Sequence, residues 1–440
     1  MTTRTLQQRF IPIKLALISL GVLLLVPVGL AQPAPEKQKI LFNHYFSFTG
    51  TYADGLRELT AQFNKDNTDM ELFQIPIDHE SFKRAILKDL QTKNTADLYS
   101  YWAGAKTKSL VPMLAPIDDV WQKQNLDKVF GRGIAESAST YAGHKYLLPI
   151  TRHYVSFYYN KEIFSKNNLQ PPKTWNEFVH LCEQLKKKKI TPIALGSKSR
   201  WPAQFWFDYI LLNTAGYEYR QKLMNGEASY SDPQVQKTFA LWKTLLDKGY
   251  FNSHPNELDW EGATNLVAHK KAAMTLMGSW TLNFRPSNNA NWKANVDYGQ
   301  FSFPSIDTSI SQTALGPIDG IIIPQGTKNL AAAKTALTFF ATQKAQSIIV
   351  QSSGSLPVSA EVLLSDEDVL PKEMTADIQK TEHWAFNYDL ATPPSVAEIG
   401  LNMLGEFVVF PKSQNIIVKS ATEKIAEEFR KIQTLNKVKE

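Results

Sequence analysis

Strand-like and helix-like patterns alternate along the first quarter of the chain, and this alternation most restricts the possible folds. The strand-like segments are 39–46, 70–75 and 96–102, and the helix-like segments between them are 52–67 and 80–91. Such alternation builds an α/β domain with a largely parallel sheet, and ligands bind near the carboxyl ends of its strands. Those ends are predicted at His44 to Thr49 and at Tyr101 to Gly104.

A second α/β set follows. A strand is predicted at 154–160, and Thr174 with Glu177 three residues later forms a capping box that opens a helix. Further strands are predicted at 190–195 and 272–277. Because 440 residues exceed the usual size of one hydrophobic core, the chain is expected to form two domains.

The N-terminus has the layout of a secretory signal peptide. Arg4, Arg9 and Lys14 precede the apolar run 15–31, which is broken by Pro27 and ends in small residues. We predict a signal peptide over 1–31 with cleavage after Ala31, and therefore a periplasmic location. A retained membrane anchor is the alternative, because the run approaches the length of a spanning helix.

Charge and motifs exclude several classes of function. Without those three cations the chain has 45 basic and 42 acidic residues, so no nucleic-acid partner is expected. The single cysteine, Cys182, excludes an intramolecular disulfide and is expected to be buried in a helix. No nucleophile elbow, phosphate-binding loop, zinc motif or dinucleotide motif is present, and neither a cofactor nor a metal site is predicted.

The chain has ten tryptophans, and several stand at the ends of predicted elements. Trp102 ends a strand, Trp201 precedes a helix, Trp280 follows a strand and a glycine, and Trp384 lies in a late segment. Pro202 is expected at the first turn of its helix, with Trp201 extended before it. Phe205, Tyr209 and Leu212 are predicted to form that helix's buried stripe. Flat indoles suit the C–H face of a sugar, whose hydroxyls polar neighbours would bind. For any single tryptophan, burial in the core is the alternative.

Five stretches together resemble family 1 of the extracellular solute-binding proteins of ABC importers, the class that includes maltose-binding protein. The resemblance runs from about Lys39 to the C-terminus. It is carried by the order and spacing of 96–121, 143–164 with 172–178, 200–216, 270–280 and 326–358.

The resemblance implies a two-lobed α/β periplasmic-binding-protein fold of type II, with lobes joined by hinge crossovers. Lobe I would comprise 39–151 with 317–370, and lobe II 152–316 with 371–440. The implied partners are a carbohydrate ligand and the transmembrane subunits of an ABC permease. The protein itself is expected to be a monomer. The implied ligand-binding residues are Phe46, Ser47, Trp102, His153, Arg200, Trp201, Trp280, Asp319 and Trp384.

The sequence departs from the maltose-type pattern at two positions. His153 replaces a glutamate at the crossover, and 102–105 lacks an acid-and-base pair, so we expect a saccharide other than maltodextrin. One alternative is a secreted glycoside-active enzyme that uses paired carboxylates, for which Asp118 with Asp119 or Asp259 with Glu261 are the candidates. Another is an adhesin or structural module without a small-molecule ligand.

Overall fold

The computed structural model describes residues 37–46, 50–92, 94–289 and 291–439, apart from the side chains of 436–439. The predicted signal peptide and the predicted ligand-binding residue Ser47 lie outside the described residues. Within the described ranges, no helix combines the length and apolar character needed to cross a membrane.

The secondary structure is mixed, and helices alternate with strands as predicted. The strands are β1 (Gln38–His44), β2 (Met70–Pro76), β3 (Leu98–Trp102), β4 (Thr140–Tyr141), β5 (His144–Lys145), β6 (Leu147–Arg152), β7 (Val155–Asn160), β8 (Thr191–Ala194), β9 (Ala272–Gly278), β10 (Tyr298–Phe301), β11 (Thr313–Leu315), β12 (Ile318–Ile322) and β13 (His383–Ala385). The helices are α1 (Gly50–Asp66), α2 (His79–Thr92), α3 (Ala105–Leu110), α4 (Asp118–Lys123), α5 (Leu126–Ile134), α6 (Lys161–Lys166), α7 (Trp175–Lys187), α8 (Gln204–Asn225), α9 (Pro233–Asp247), α10 (Trp260–Ala268), α11 (Ala294–Asp297), α12 (Leu330–Phe340), α13 (Gln343–Ser353), α14 (Val369–Ile378), α15 (Tyr388–Ala391), α16 (Pro394–Val409) and α17 (Gln414–Lys439).

The first sheet has five strands in the order β2-β1-β3-β12-β6. β1 is parallel to both β2 and β3, while β12 pairs antiparallel with β3 on one side and with β6 on the other. Strands β1, β3 and β6 therefore end at the same edge of the sheet, and β12 begins there. Alternate residues of the strands face two different clusters of the core, so helices cover both faces.

The second sheet has four strands in the order β10-β7-β9-β8. β7 is antiparallel to β10 and β9, while β8 and β9 are parallel. Val155 at the start of β7 lies opposite Gly278 at the end of β9, so the ends of β8 and β9 share an edge with the beginning of β7. A separate hydrophobic cluster surrounds this sheet and includes Cys182, which is buried as predicted.

Several local predictions are confirmed. Thr174 and Glu177 form the complete capping box at the start of α7. Trp242, which the sequence places inside the amphipathic helical segment 231–249 as a core residue, is fully buried in α9. The prediction for α8 was incomplete, because residues 204–213 are all buried instead of a single stripe, and Gly216 breaks the helix where φ reaches 82° without ending it.

The prediction of an extended Trp201 was wrong. Trp201 begins a 3₁₀ turn, Trp201–Ala203, that leads directly into α8. The backbone turns one residue earlier, at Arg200, whose φ is 66°. The Arg200 backbone N–H donates to the Ser197 carbonyl at 2.8 Å. Pro202 still occupies an early helical position, where its missing N–H costs no hydrogen bond.

Candidate ligand-binding site

A cavity of about 520 Å³ is lined by loops that follow strands of both sheets. From the first sheet, the lining includes residues after β1, Trp102 at the end of β3, His153 after β6 and Asp319 in β12. From the second, it includes the segment after β8 and the turn after β9. Its volume is within the range of small-molecule binding sites.

The structure brings six of the nine predicted ligand-binding residues to this cavity. They are Phe46, Trp102, His153, Trp201, Trp280 and Asp319. Arg200 and Trp384 do not line it, and Ser47 lies outside the described residues.

Arg200 is engaged elsewhere. Its Nη1 lies 2.5 Å from Oε1 of Glu398 and 2.7 Å from Oδ1 of Asn402, both on α16. Arg200 has a positive φ of 66°, directly before the 3₁₀ turn that Trp201 begins. Arg200 thus holds the Trp201 turn onto α16.

Trp384 lies in β13, which pairs with β11. The Arg152 guanidinium lies 5.4 Å from the centre of its ring. The indole also approaches Gly316, where an added Cβ would lie 3.3 Å from it. The Trp384 ring therefore packs against Arg152 and Gly316, which lie in the segments that connect the two sheets.

One wall of the cavity is aromatic. Trp201 and Trp280 lie 5.8 Å apart between ring centres with an interplanar angle of 66°, and Trp260 meets Trp280 edge-on at 6.5 Å. All three are partly exposed. Their mutual contacts are edge-on instead of parallel, so none of the three indoles is stacked flat on another, and the exposed parts of the rings can meet a flat, weakly polar surface.

The facing wall holds a stack of two rings. Tyr45 lies parallel to Trp102, with 4.1 Å between ring centres and an interplanar angle of 14°. The Lys106 ammonium lies 4.6 Å from the centre of the Trp102 ring and 2.7 Å from Oδ2 of Asp389. Although burial would raise the pKa of Asp389, the Lys106 ammonium holds it below the ordinary value.

The strands that connect the two sheets contribute Asp319 and His153. The ladder between β12 and β6 is irregular between Asp319 and Gly320, as in a β-bulge. Burial raises the pKa of Asp319 to about 7, although a hydrogen bond from the Thr151 hydroxyl at 3.0 Å opposes the rise. Burial lowers the pKa of His153 to about 3, so its imidazole is neutral. Its Nε2 lies 4.0 Å from Oδ2 of Asp319.

Sequence reasoning missed a group of polar residues that also line the cavity. Six lining residues carry a buried polar atom without a hydrogen-bond partner among the described residues: Tyr45, Tyr52, Gln204, Asn283, Asp319 and Asn387. A buried polar atom without a partner costs roughly 1–3 kcal/mol. Because these atoms are buried in this structure, a ligand with several donors and acceptors would bond them only after the surrounding side chains shift. The one usable signal was the presence of Gln204 and Asp208 in the otherwise apolar run 204–212 at the start of α8.

The candidate carboxylates of the enzyme alternative are placed differently. Asp119 binds Lys334 at 2.7 Å and Asp118 accepts from the backbone of Lys145, both away from the cavity lining. Asp259 caps α10 through the Gly262 N–H at 2.7 Å. Glu261 lines the cavity, and burial together with Asp259 and Asp78 raises its pKa. In the described ranges, no three His, Cys, Asp or Glu side chains are grouped to hold a metal ion.

Comparisons with known proteins agree with this geometry. Residues 49–347 match the family model of bacterial extracellular solute-binding proteins. An uncharacterised ABC transporter extracellular-binding protein of Pyrococcus horikoshii is 27% identical over 425 residues, which cover 94% of this chain and 92% of that protein. A probable sugar-binding periplasmic protein of Mesorhizobium japonicum is 26% identical over 307 residues, or 67% of this chain and 71% of that protein.

Among solved structures, the fold is similar to that of the bacterial solute receptor AcbH, whose exclusive substrate preference is β-D-galactopyranose. The two share 27% identity with a TM-score of 0.82, over 90% of this chain and all of that one. The predicted solute-binding-protein fold is therefore confirmed. The chain belongs to the family of bacterial extracellular solute-binding proteins.

Proposed function

We propose that the protein binds a neutral mono- or oligosaccharide in the cavity between its two sheets and delivers it to an ABC permease. The observation that carries this proposal is the combination of partly exposed indoles with polar and charged side chains, such as Lys106, Asn283 and Asp389, around one cavity. Indole faces accept the C–H face of a sugar, and mixed donors and acceptors bind its hydroxyls. The sugar preference of AcbH supports the same ligand class.

The two sheets support a division into the two lobes defined above, 39–151 with 317–370 and 152–316 with 371–440. In this proposal the lobes close on the sugar by a hinge motion, and its binding energy shifts the equilibrium toward the closed form. The protein acts as a monomer in the periplasm after removal of residues 1–31, and the closed form docks on the transmembrane subunits of the permease. The expected hinge crossovers lie near residues 149–152, before the strand that carries Asp319, and near residue 370.

Isothermal titration calorimetry tests the binding step. D-galactose, raffinose and a xylo-oligosaccharide should be titrated into the protein without residues 1–31, with a charged nucleotide as the negative control. We expect heat and a raised melting temperature with at least one sugar, since a ligand that binds the folded state stabilises it. Neither heat nor thermal stabilisation across a broad sugar panel would contradict the proposal.

The enzyme alternative requires two carboxylates with different proton affinities, and Asp319 and Asp389 are such a pair in the same cavity. Both oxygens of Asp389 are already engaged, however: Oδ2 by Lys106 and Oδ1 by the Asn387 amide at 2.7 Å. This engagement favours binding over nucleophilic attack. Turnover of a chromogenic glycoside that is abolished by Asp319→Asn would favour the enzyme instead.

A further inference from the structure

The two faces of Trp102 are both occupied in this structure. The Tyr45 ring is stacked on it at 4.1 Å, and the Lys106 ammonium lies 4.6 Å from its centre. Two groups at these distances do not fit over the same face, so one covers each side. Only 7% of Trp102 is exposed. A sugar ring therefore finds no open face on this indole, although Trp102 lines the cavity.

The indoles that the second sheet contributes to the cavity, Trp201 and Trp280, differ from Trp102 in this respect. Trp201 and Trp280 are partly exposed, and the rings around them make inclined or edge contacts instead of parallel stacks. The stacking surface for a sugar is thus concentrated on the wall that belongs to the second sheet. Trp102 is therefore expected to act in some way other than stacking on the sugar.

Lys106 has unused hydrogen-bonding capacity. An ammonium group has three donors, and the described hydrogen bonds of Lys106 include one, to Asp389. Its side chain is 16% exposed and lines the cavity. Burial raises the pKa of Asp319, and the charge of Lys106 opposes this rise. With one N–H on Asp389 and one directed at the Trp102 face, one N–H group is available to an acceptor oxygen of a ligand.

We propose that Trp102 is a positioning residue that acts through Lys106, and that Lys106 is a specificity-determining donor to a saccharide oxygen. The indole face and Asp389 together fix the ammonium at one point of the cavity. A sugar is then selected for an acceptor, a hydroxyl or ring oxygen, at this point while its C–H face lies on Trp201 and Trp280. This inference rests on the proposed saccharide-binding function.

A double-mutant cycle tests it, with D-galactose, raffinose and a xylo-oligosaccharide as separate calorimetric probes. Trp102→Leu is compared in the wild-type and the Lys106→Met backgrounds. If Trp102 acts through Lys106, Trp102→Leu lowers affinity about tenfold in the wild type but less than about twofold in Lys106→Met. Trp102→Phe keeps a flat ring beneath the ammonium and should restore affinity to within about threefold of wild type.

Lys83 provides the matched control, because it also lines the cavity but lies 6.0 Å from the Trp102 ring and pairs with Glu80. In the Lys83→Met background, Trp102→Leu should retain its full cost. The melting temperature of each variant is measured in parallel, and Trp102→Met, which also lacks a flat ring, replaces Trp102→Leu in the cycle if the latter does not fold.

Each claim has its own contradicting outcome. Wild-type affinity of Lys106→Met for all three sugars would overturn the donor role of Lys106. Equal costs of Trp102→Leu in the wild-type and Lys106→Met backgrounds would mean that the indole contacts the sugar itself, and this overturns the positioning role alone. Equal coupling to Lys83 and Lys106 overturns it as well. Absence of binding of all three sugars by the wild type contradicts the proposed function, and this inference with it.

Discussion

Arg220 and Asp208 form an ion pair with an N–O distance of 2.7 Å, and both side chains are completely buried. Arg220 also donates to the Phe386 carbonyl at 2.7 Å, and Asp208 accepts from the Tyr388 backbone N–H at 2.7 Å. The pair thus fixes the segment that carries Asn387 and Asp389 into the cavity lining.

Removing one partner of this pair should be costly. Arg220→Met leaves the Asp208 carboxylate buried without its cation, and we expect the free energy of unfolding to fall by about 3–5 kcal/mol. Sugar affinity should fall as well, because the Asp389 segment loses an anchor. Urea unfolding and calorimetry measure the two effects. Arg132→Ala, which breaks the exposed pair with Glu136, is the control and should cost less than about 1 kcal/mol. Similar costs for the two variants would contradict the prediction.

Asp319 should make stability depend on pH. Its pKa is about 7 in the folded protein against 3.8 ordinarily, because the carboxyl is buried. Between these values the folded state retains a proton that the unfolded state has released. Its contribution to stability is therefore complete below about pH 4 and is lost as the pH rises to about 7, at up to roughly 1.4 kcal/mol per pH unit.

Asp319→Asn removes this contribution, so the difference in unfolding free energy between wild type and variant should decrease from about pH 4 to 7 and then level off. Urea titrations across that range measure it. His153, whose pKa is lowered to about 3, has the opposite effect on stability, which falls as the pH drops below its ordinary value of 6.5. Both proteins share this effect, so it largely cancels in the difference. A difference that is independent of pH would show that Asp319 titrates normally.

The partly exposed indoles of Trp201 and Trp280 should contribute strongly to sugar binding. Trp201→Leu and Trp280→Leu each remove a flat surface, and we expect affinity to fall at least about tenfold with little change in melting temperature. Calorimetry with the tightest-binding sugar and a thermal melt measure the two quantities. Trp292 is the matched control, since it is also partly exposed but contacts Tyr298 outside the cavity lining. An affinity loss in Trp292→Leu as large as in the other two would argue against a specific stacking surface.

Gly104 should tolerate no side chain. Its φ is 89°, and an added Cβ would lie 2.4 Å from the Leu390 carbonyl oxygen. Gly143 has a similar φ of 82° but no atom within 4 Å of an added Cβ. Gly143→Ala should therefore cost about 1 kcal/mol of backbone strain, whereas Gly104→Ala should cost more by the clash and displace Lys106 nearby. Equal destabilisation in urea unfolding would mean that the Leu390 segment moves freely.

The sequence predicted the sheet edges and the tryptophans because both depend on local patterns. Strand periodicity placed Trp102 and Trp280 at strand ends, and the edges of the two sheets bring these ends to one cavity. Contacts between distant segments could not be predicted in this way. Lys106 and Asp389 are 283 residues apart, and nothing in either local segment indicates the pairing. Arg200 was predicted to bind the ligand beside Trp201, but its guanidinium binds Glu398 on α16, 198 residues further along the chain.

The central position of β12 has a consequence for the order in which the protein can be assembled. β12 joins β3 to β6, yet the whole second sheet precedes it in the chain. During synthesis the first sheet therefore stays split until residue 322 has left the ribosome, and a truncated chain ending at residue 316 would expose two unpaired strand edges. The first sheet can therefore be completed only after most of the chain has been made. Pairing of strands so far apart in sequence is also intrinsically slow.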